Sequence, residues 1–172
     1  MNYYDEISEG YEELHREEQE KKIALIKQYL KISKNDKLLD VGCGTGITTI
    51  PWNCIRFGID PAKKLLERAH PGPTYKLGQA EKIPFKDNFF DIVVSITAIQ
   101  NFSNIKKGLV EIKRVGKENF VLTFLKKSPK KELILGLIKE IFNERNFKII
   151  EEEKDIIVLI LTKNKINLKL IF

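Results

Sequence analysis

The chain has 172 residues, 42% of them hydrophobic and 31% charged, with a net charge of +6. That length suits one domain of the usual ~100–200 residues, and that balance excludes a disordered, fibrous or membrane-spanning chain. Cys43 and Cys54, with only His15 and His70 as histidines, make neither a disulfide framework nor a zinc spacing, so reduced thiols and no metal are expected.

In chain order, the opening Met1–Glu6 lacks the basic and apolar regions of a signal peptide. The longest apolar run, Ile156 to Leu161, is far short of the ~20 residues of a spanning helix. A soluble, cytoplasmic protein is therefore expected. Residues 16–32 place Ile23, Ile26 and Leu30 at i, i+3, i+7, which predicts an amphipathic helix. Lys37 to Val41 and Ile55 to Ile59 read as strands. Asp60-Pro61 supplies an N-cap acid and a first-turn proline for a helix through Ala69. Pro71-Gly72-Pro73 breaks the chain before a short strand at Tyr75 to Leu77. Asp91 to Thr97 is β-branched and apolar on both faces, as a strand covered on both sides should be. A helix capped by Ser103 is predicted from about Asn104, followed by a strand over Phe120–Leu125 and a helix over Lys131–Phe142. Phe147–Glu151 and Ile156–Lys163 predict a terminal antiparallel hairpin.

Strands alternating with helices predict an α/β, Rossmann-like doubly wound, mostly parallel sheet of seven strands, with helices on both faces. One domain over 1–172 is expected, with an N-terminal lid and helix over 1–33, a core over 34–125 and a C-terminal helix and hairpin over 126–172. Charge is uneven. Residues 103–148 hold twelve Lys or Arg against five acids, a local +7, which is either a solvated helical face or a surface that attracts polyanions.

The strongest chemical signal is Leu38-Leu39-Asp40-Val41-Gly42-Cys43-Gly44-Thr45-Gly46, a buried strand running into three glycines at alternate positions. Glycine permits positive φ and lets a ligand approach the backbone. The spacing is G-x-G-x-G, and Ile47 stands where the dinucleotide fingerprint needs its third glycine. No Gly-Lys-Ser/Thr follows, so a phosphate-cradling loop is excluded. Asp60 ends the second strand, where a carboxylate can accept both hydroxyls of a ribose.

Four segments occur in register: Leu38–Gly46, Phe57-Gly58-Ile59-Asp60-Pro61, Gly78-Gln79-Ala80-Glu81-Lys82-Ile83-Pro84-Phe85 and Phe90-Asp91-Ile92-Val93-Val94-Ser95. Together they resemble the class I S-adenosylmethionine-dependent methyltransferases, in particular the methyltransferase-11-like group. The resemblance implies S-adenosylmethionine as cofactor. It implies that Gly42, Cys43, Gly44 and Gly46 pass under the methionine and ribose, with Asp40 near the amino group. Asp60 with Pro61 would hold the ribose diol, Gln79, Ala80 and Glu81 would border the adenine, and Ser95 would lie beside the methionine. Tyr11 would close over the cofactor from an N-terminal lid. Gln79 departs from the family's usual Asp. Pro51 shortens the first helix after the loop to about one turn or less. Ile99-Gln100-Asn101-Phe102 replaces a common histidine pair.

No catalytic base is identified; the acceptor-side candidates are Thr97, Gln100, Asn101 and Tyr4, with Tyr11 and His15 also in the lid, and His15, in a very acidic stretch, reads either as one of these or as a surface residue. A small metabolite is the expected acceptor. The alternatives are an RNA methyltransferase, whose basic 103–148 face would meet phosphates, and a cofactor-binding subunit completed by a partner. The apolar tail Ile166–Phe172 would serve that partner or self-association.

Overall fold

The computed structural model describes residues 3–143 and 147–167, with side chains described from residue 13 onward. Seven strands form one sheet: β1 (Lys37–Val41), β2 (Ile55–Asp60), β3 (Thr74–Leu77), β4 (Phe90–Ser95), β5 (Gly116–Leu125), β6 (Phe147–Glu151) and β7 (Asp155–Ile160). Their order across the sheet is β3-β2-β1-β4-β5-β7-β6. The first five pair in parallel, whereas β7 runs antiparallel to both β5 and β6.

Alternating side chains of these strands feed two cores. Leu39, Val41, Val93, Phe120 and Leu122 face helices α3 (Ile105–Val115) and α4 (Lys131–Ile141). Leu38, Ile92, Val94 and Val121 face Ile23, Ile26 and Leu30 of helix α1 (Tyr3–Tyr29). Strands covered on both faces must be apolar throughout, which is why they read as unbroken hydrophobic runs. The doubly wound fold expected from the sequence is therefore observed, with helices on both faces.

Local boundaries differ in instructive ways. Helix α2 is short (Lys63–Glu67), its N-cap is Ala62, and the Asp60 carboxylate accepts instead from the Ala62 N–H. Asp60 is thus a β2 residue that reaches the helix start and not its cap. Helix α3 is capped by Asn104, whose Oδ1 accepts from Lys107 N, rather than by Ser103. Residues 47–51 form turns and no helix, and buried Trp52 covers the core there, with Nε1 donating to the Thr48 carbonyl. Ile166 bridges back to Leu30; the rest of the predicted apolar tail, from residue 168, lies outside the described residues. Among the described residues no helix is long and apolar enough to cross a membrane.

This topology positions the site. Strand order reverses at β1, between β2 and β4, and a doubly wound sheet opens a crevice beyond the carboxyl ends of its strands at that point.

Candidate functional site

The turn after β1 is built to be tight. The Gly42 and Cys43 N–H groups both donate to the Ile59 carbonyl of β2, at 2.8 and 3.0 Å. Gly42 has φ +80, and a Cβ there would sit 2.5 Å from that of Ala98, so the loop packs directly on the chain that follows β4. Gly44, at φ +54, is different: a Cβ would meet only Leu65 Cδ1 at 3.9 Å. Its backbone therefore faces open space. Asp60 latches this loop to the start of α2, because its Oδ2 accepts from Gly44 N (2.9 Å) while Oδ1 takes Ala62 N (2.8 Å).

Beneath the loop, Asp40 is wholly buried. Its Oδ2 accepts from the Thr48 and Thr49 hydroxyls at 2.6 and 2.8 Å, and its Oδ1 has no partner among the described residues. Burial pushes the carboxyl up to about 6, against the two threonine bonds that favour the ionised form; the nearby Asp60 charge adds to the rise.

These elements border a cleft of about 800 Å³. Of the residues expected at the cofactor, Gly42, Cys43, Gly44, Asp60, Pro61, Gln79, Ala80 and Glu81 line it. Three do not. Asp40 lies under the loop, Gly46 is covered by the Tyr75 ring, and buried Ser95 donates to the Val41 carbonyl behind the turn. Glu81 also accepts from Asn104 N, so it joins the adenine-side segment to the start of α3. The Cys43 thiol is buried and its pKa is raised by desolvation, so it sits there as a neutral group.

At the other end, Thr97, Gln100 and Asn101 line the cleft as expected from the sequence. Thr97 has φ +54, a backbone region that a β-branched residue adopts only under strain. Its N–H is held by both the carbonyl and the hydroxyl of Thr123. Gln100 Nε2 donates to the Thr97 carbonyl, which leaves its Oε1 unpaired. The expected contributions of Tyr4 and Tyr11 fall in helix α1, outside the described side chains.

The sequence reading missed part of this end. Gln19, Lys22 and Asp155 line the cleft and were not expected there; His15, a lid candidate from the sequence, lines it from an exposed position on α1. A signal existed for Lys22 and Gln19: both share the buried face of α1 with Ile23 and Ile26, where a polar residue needs a reason.

The sequence model of a family described as "Methyltransferase domain" matches residues 39–124. An uncharacterized methyltransferase of Schizosaccharomyces pombe is 32% identical over 106 residues, 50% of this chain and 38% of that protein. The chain spans 38 to 56% of the length of the first curated relatives it matches. Among solved structures, a SAM-dependent methyltransferase from Aquifex aeolicus superposes with a TM-score of 0.63 at 22% identity, covering 81% of this chain and 89% of that one. The protein solved in complex with the Haloferax volcanii Trm112 methyltransferase activator gives a TM-score of 0.67 at 17% identity, covering 91% and 94%. At such identities the structural likeness speaks for the fold.

Proposed function

This chain belongs to the methyltransferase domain family, and from that premise we propose that it transfers a methyl group from S-adenosylmethionine to a small-molecule acceptor. One observation carries the reading. A buried carboxylate with an unpaired oxygen, Asp40 Oδ1, lies under a glycine turn whose Gly44 backbone faces an open cleft at the sheet's switch point. The oxygen is sealed beneath the turn and does not line the cleft, so its charge favours a cationic ligand group there through the local field and not by direct contact.

The chain's residues fit the cofactor in the following roles. Gly42, Cys43 and Gly44, with Asp40 below them, would take the amino-acid portion, while Gly46 shapes the turn under the Tyr75 ring. Asp60 would accept from the ribose hydroxyls with oxygen lone pairs left over from its two backbone bonds. Gln79, Ala80 and Glu81 would border the base. The bound group supplies a methyl on a sulfonium, which already leaves readily. The protein's task is then alignment of donor and acceptor, and such positioning is worth up to ~7–11 kcal/mol of barrier.

A small acceptor is supported by the modest size of the cleft, about 800 Å³, and by the pairing of several cations of the basic segment. Lys106 pairs with Glu140, Arg114 with Glu111 and Asp87, Lys117 with Asp91 and Lys126 with Glu151. Four of the segment's twelve basic side chains are thus engaged by acids, which lessens its pull on a phosphate backbone. Incubation of the full chain with methyl-labelled S-adenosylmethionine, a small-metabolite extract and bulk RNA tests this. Label is expected in the small-molecule fraction; label confined to RNA contradicts the acceptor class.

A further inference from the structure

We propose that Asp155 is the acceptor-recognition residue of the cleft: it takes a hydrogen bond from an O–H or N–H group, so that the site selects protic oxygen or nitrogen nucleophiles. This inference rests on the methyl-transfer reading and names the substrate class for it.

Topology places the residue. Because β7 runs antiparallel, its first residue lies at the sheet edge where the parallel strands end, and Asp155 is in register with Leu125, the last residue of β5. Asp155 thereby reaches the cleft beside Thr97, just past the end of β4. A carboxylate here is desolvated, and it has a dedicated counter-ion. Lys22 Nζ lies 2.8 Å from Asp155 Oδ2, with the two side chains 6% and 11% exposed.

The hydrogen-bond accounting gives the cleft its polarity. Lys22 has three N–H bonds, and Gln19 Oε1, Thr97 Oγ1 and Asp155 Oδ2 take all three. Burial lowers the Lys22 pKa, and the Asp155 carboxylate works against that shift. The ammonium has nothing left to offer a ligand; it stands as the counter-ion of the carboxylate. Among the described residues Asp155 accepts from Lys22 on Oδ2 and from Thr97 Oγ1 on Oδ1, at 3.3 Å. A carboxylate offers about four lone-pair sites, so acceptor capacity remains. Gln100, which lines the same end, carries the unpaired acceptor Oε1. Lys154, the other ammonium lining the cleft, is paired with Glu18.

Two further features argue against a purely structural pair. Buried ion pairs are often replaceable by apolar groups without loss of stability, so stability alone is a weak reason for one at this place. The strained backbone of Thr97 is maintained by Thr123 and places a hydroxyl between Lys22 and Asp155. Backbone strain of this kind concentrates at functional sites.

The test uses the full chain saturated with S-adenosylhomocysteine and two matched pairs of probes, followed by NMR: phenol against anisole, and imidazole against 1-methylimidazole at pH 8.5. The expected result is at least fivefold tighter binding of the protic member in one or both pairs. Asp155→Asn should reduce that ratio below twofold while the affinity for S-adenosylhomocysteine stays within twofold of wild type. If Asp155→Asn does not fold, Lys22→Met/Asp155→Leu replaces the pair with apolar groups and should erase the preference equally. Equal affinities within both pairs, no saturable binding of any probe, or a preference that survives removal of Asp155 overturns the proposal. If S-adenosylhomocysteine does not bind, the methyl-transfer reading fails on its own, and the same probe ratios on the ligand-free chain still decide the role of Asp155.

Discussion

Asp60→Ala is expected to weaken binding of S-adenosylhomocysteine at least tenfold and to lower stability by about 3–6 kcal/mol, since it removes two backbone hydrogen bonds to a charged group worth ~1.5–3 kcal/mol each. Two separate losses are involved. The first is structural: the Gly44 and Ala62 N–H groups lose a shared carboxylate, so the glycine turn is no longer latched to α2. The second is the loss of the acceptor assigned to the ribose hydroxyls. Asp60→Asn separates them, because an amide still accepts one backbone bond but presents N–H to the other. The asparagine variant should regain part of the stability while remaining weak in binding. Urea unfolding and calorimetry on the same preparations read both quantities. Wild-type affinity in a folded Asp60→Ala protein would remove the ribose assignment.

Asp40→Asn is expected to change the sign of its effect on stability with pH. In the native protein the Asp40 carboxyl is pushed from 3.8 up to about 6 by burial. A rise of about two units corresponds to about 3 kcal/mol. The folded state therefore binds this proton more tightly than the unfolded chain does. That contribution is complete below the unfolded value, declines as pH rises through about 6, and is absent above it. An asparagine cannot ionise, so it escapes the penalty at high pH, but its buried N–H₂ lacks a partner, at ~1–3 kcal/mol. Ligand-free Asp40→Asn should thus be more stable than wild type by about 1 kcal/mol at pH 8 and less stable at pH 4, with a swing of about 2–3 kcal/mol between them. Affinity for S-adenosylhomocysteine should fall at pH 8, the usual exchange of function against stability at a strained or desolvated site. Denaturant titrations at the two pH values check the sign, and a uniform loss at both contradicts the ionised, orphaned carboxylate.

The parts legible in the sequence are those encoded locally. Strands β1, β4 and β5 announce themselves because burial on both faces requires largely apolar runs, the exposed β3 through the Pro71-Gly72-Pro73 break before it, and the glycine turn because alternate glycines leave few other conformations. Helix caps were less legible. Asp60 followed by proline looks like an N-cap, but its carboxylate is drawn instead to both Gly44 and Ala62. Asn104 displaced Ser103 as the cap of α3, one residue along, where the backbone turns helical. The acceptor end was the least legible. Lys22 and Asp155 belong to opposite ends of the chain, and only the antiparallel insertion of β7 brings the second to the first. No periodicity in either segment carries that pairing.

The most direct measurement is a calorimetric titration of the full chain with S-adenosylhomocysteine and S-adenosylmethionine, with NAD as the control. The G-x-G-x-G turn, the Asp60 latch and the orphaned Asp40 oxygen predict micromolar, one-to-one binding of both sulfur ligands and none of NAD. Binding of NAD without either sulfur ligand would contradict the account at its centre.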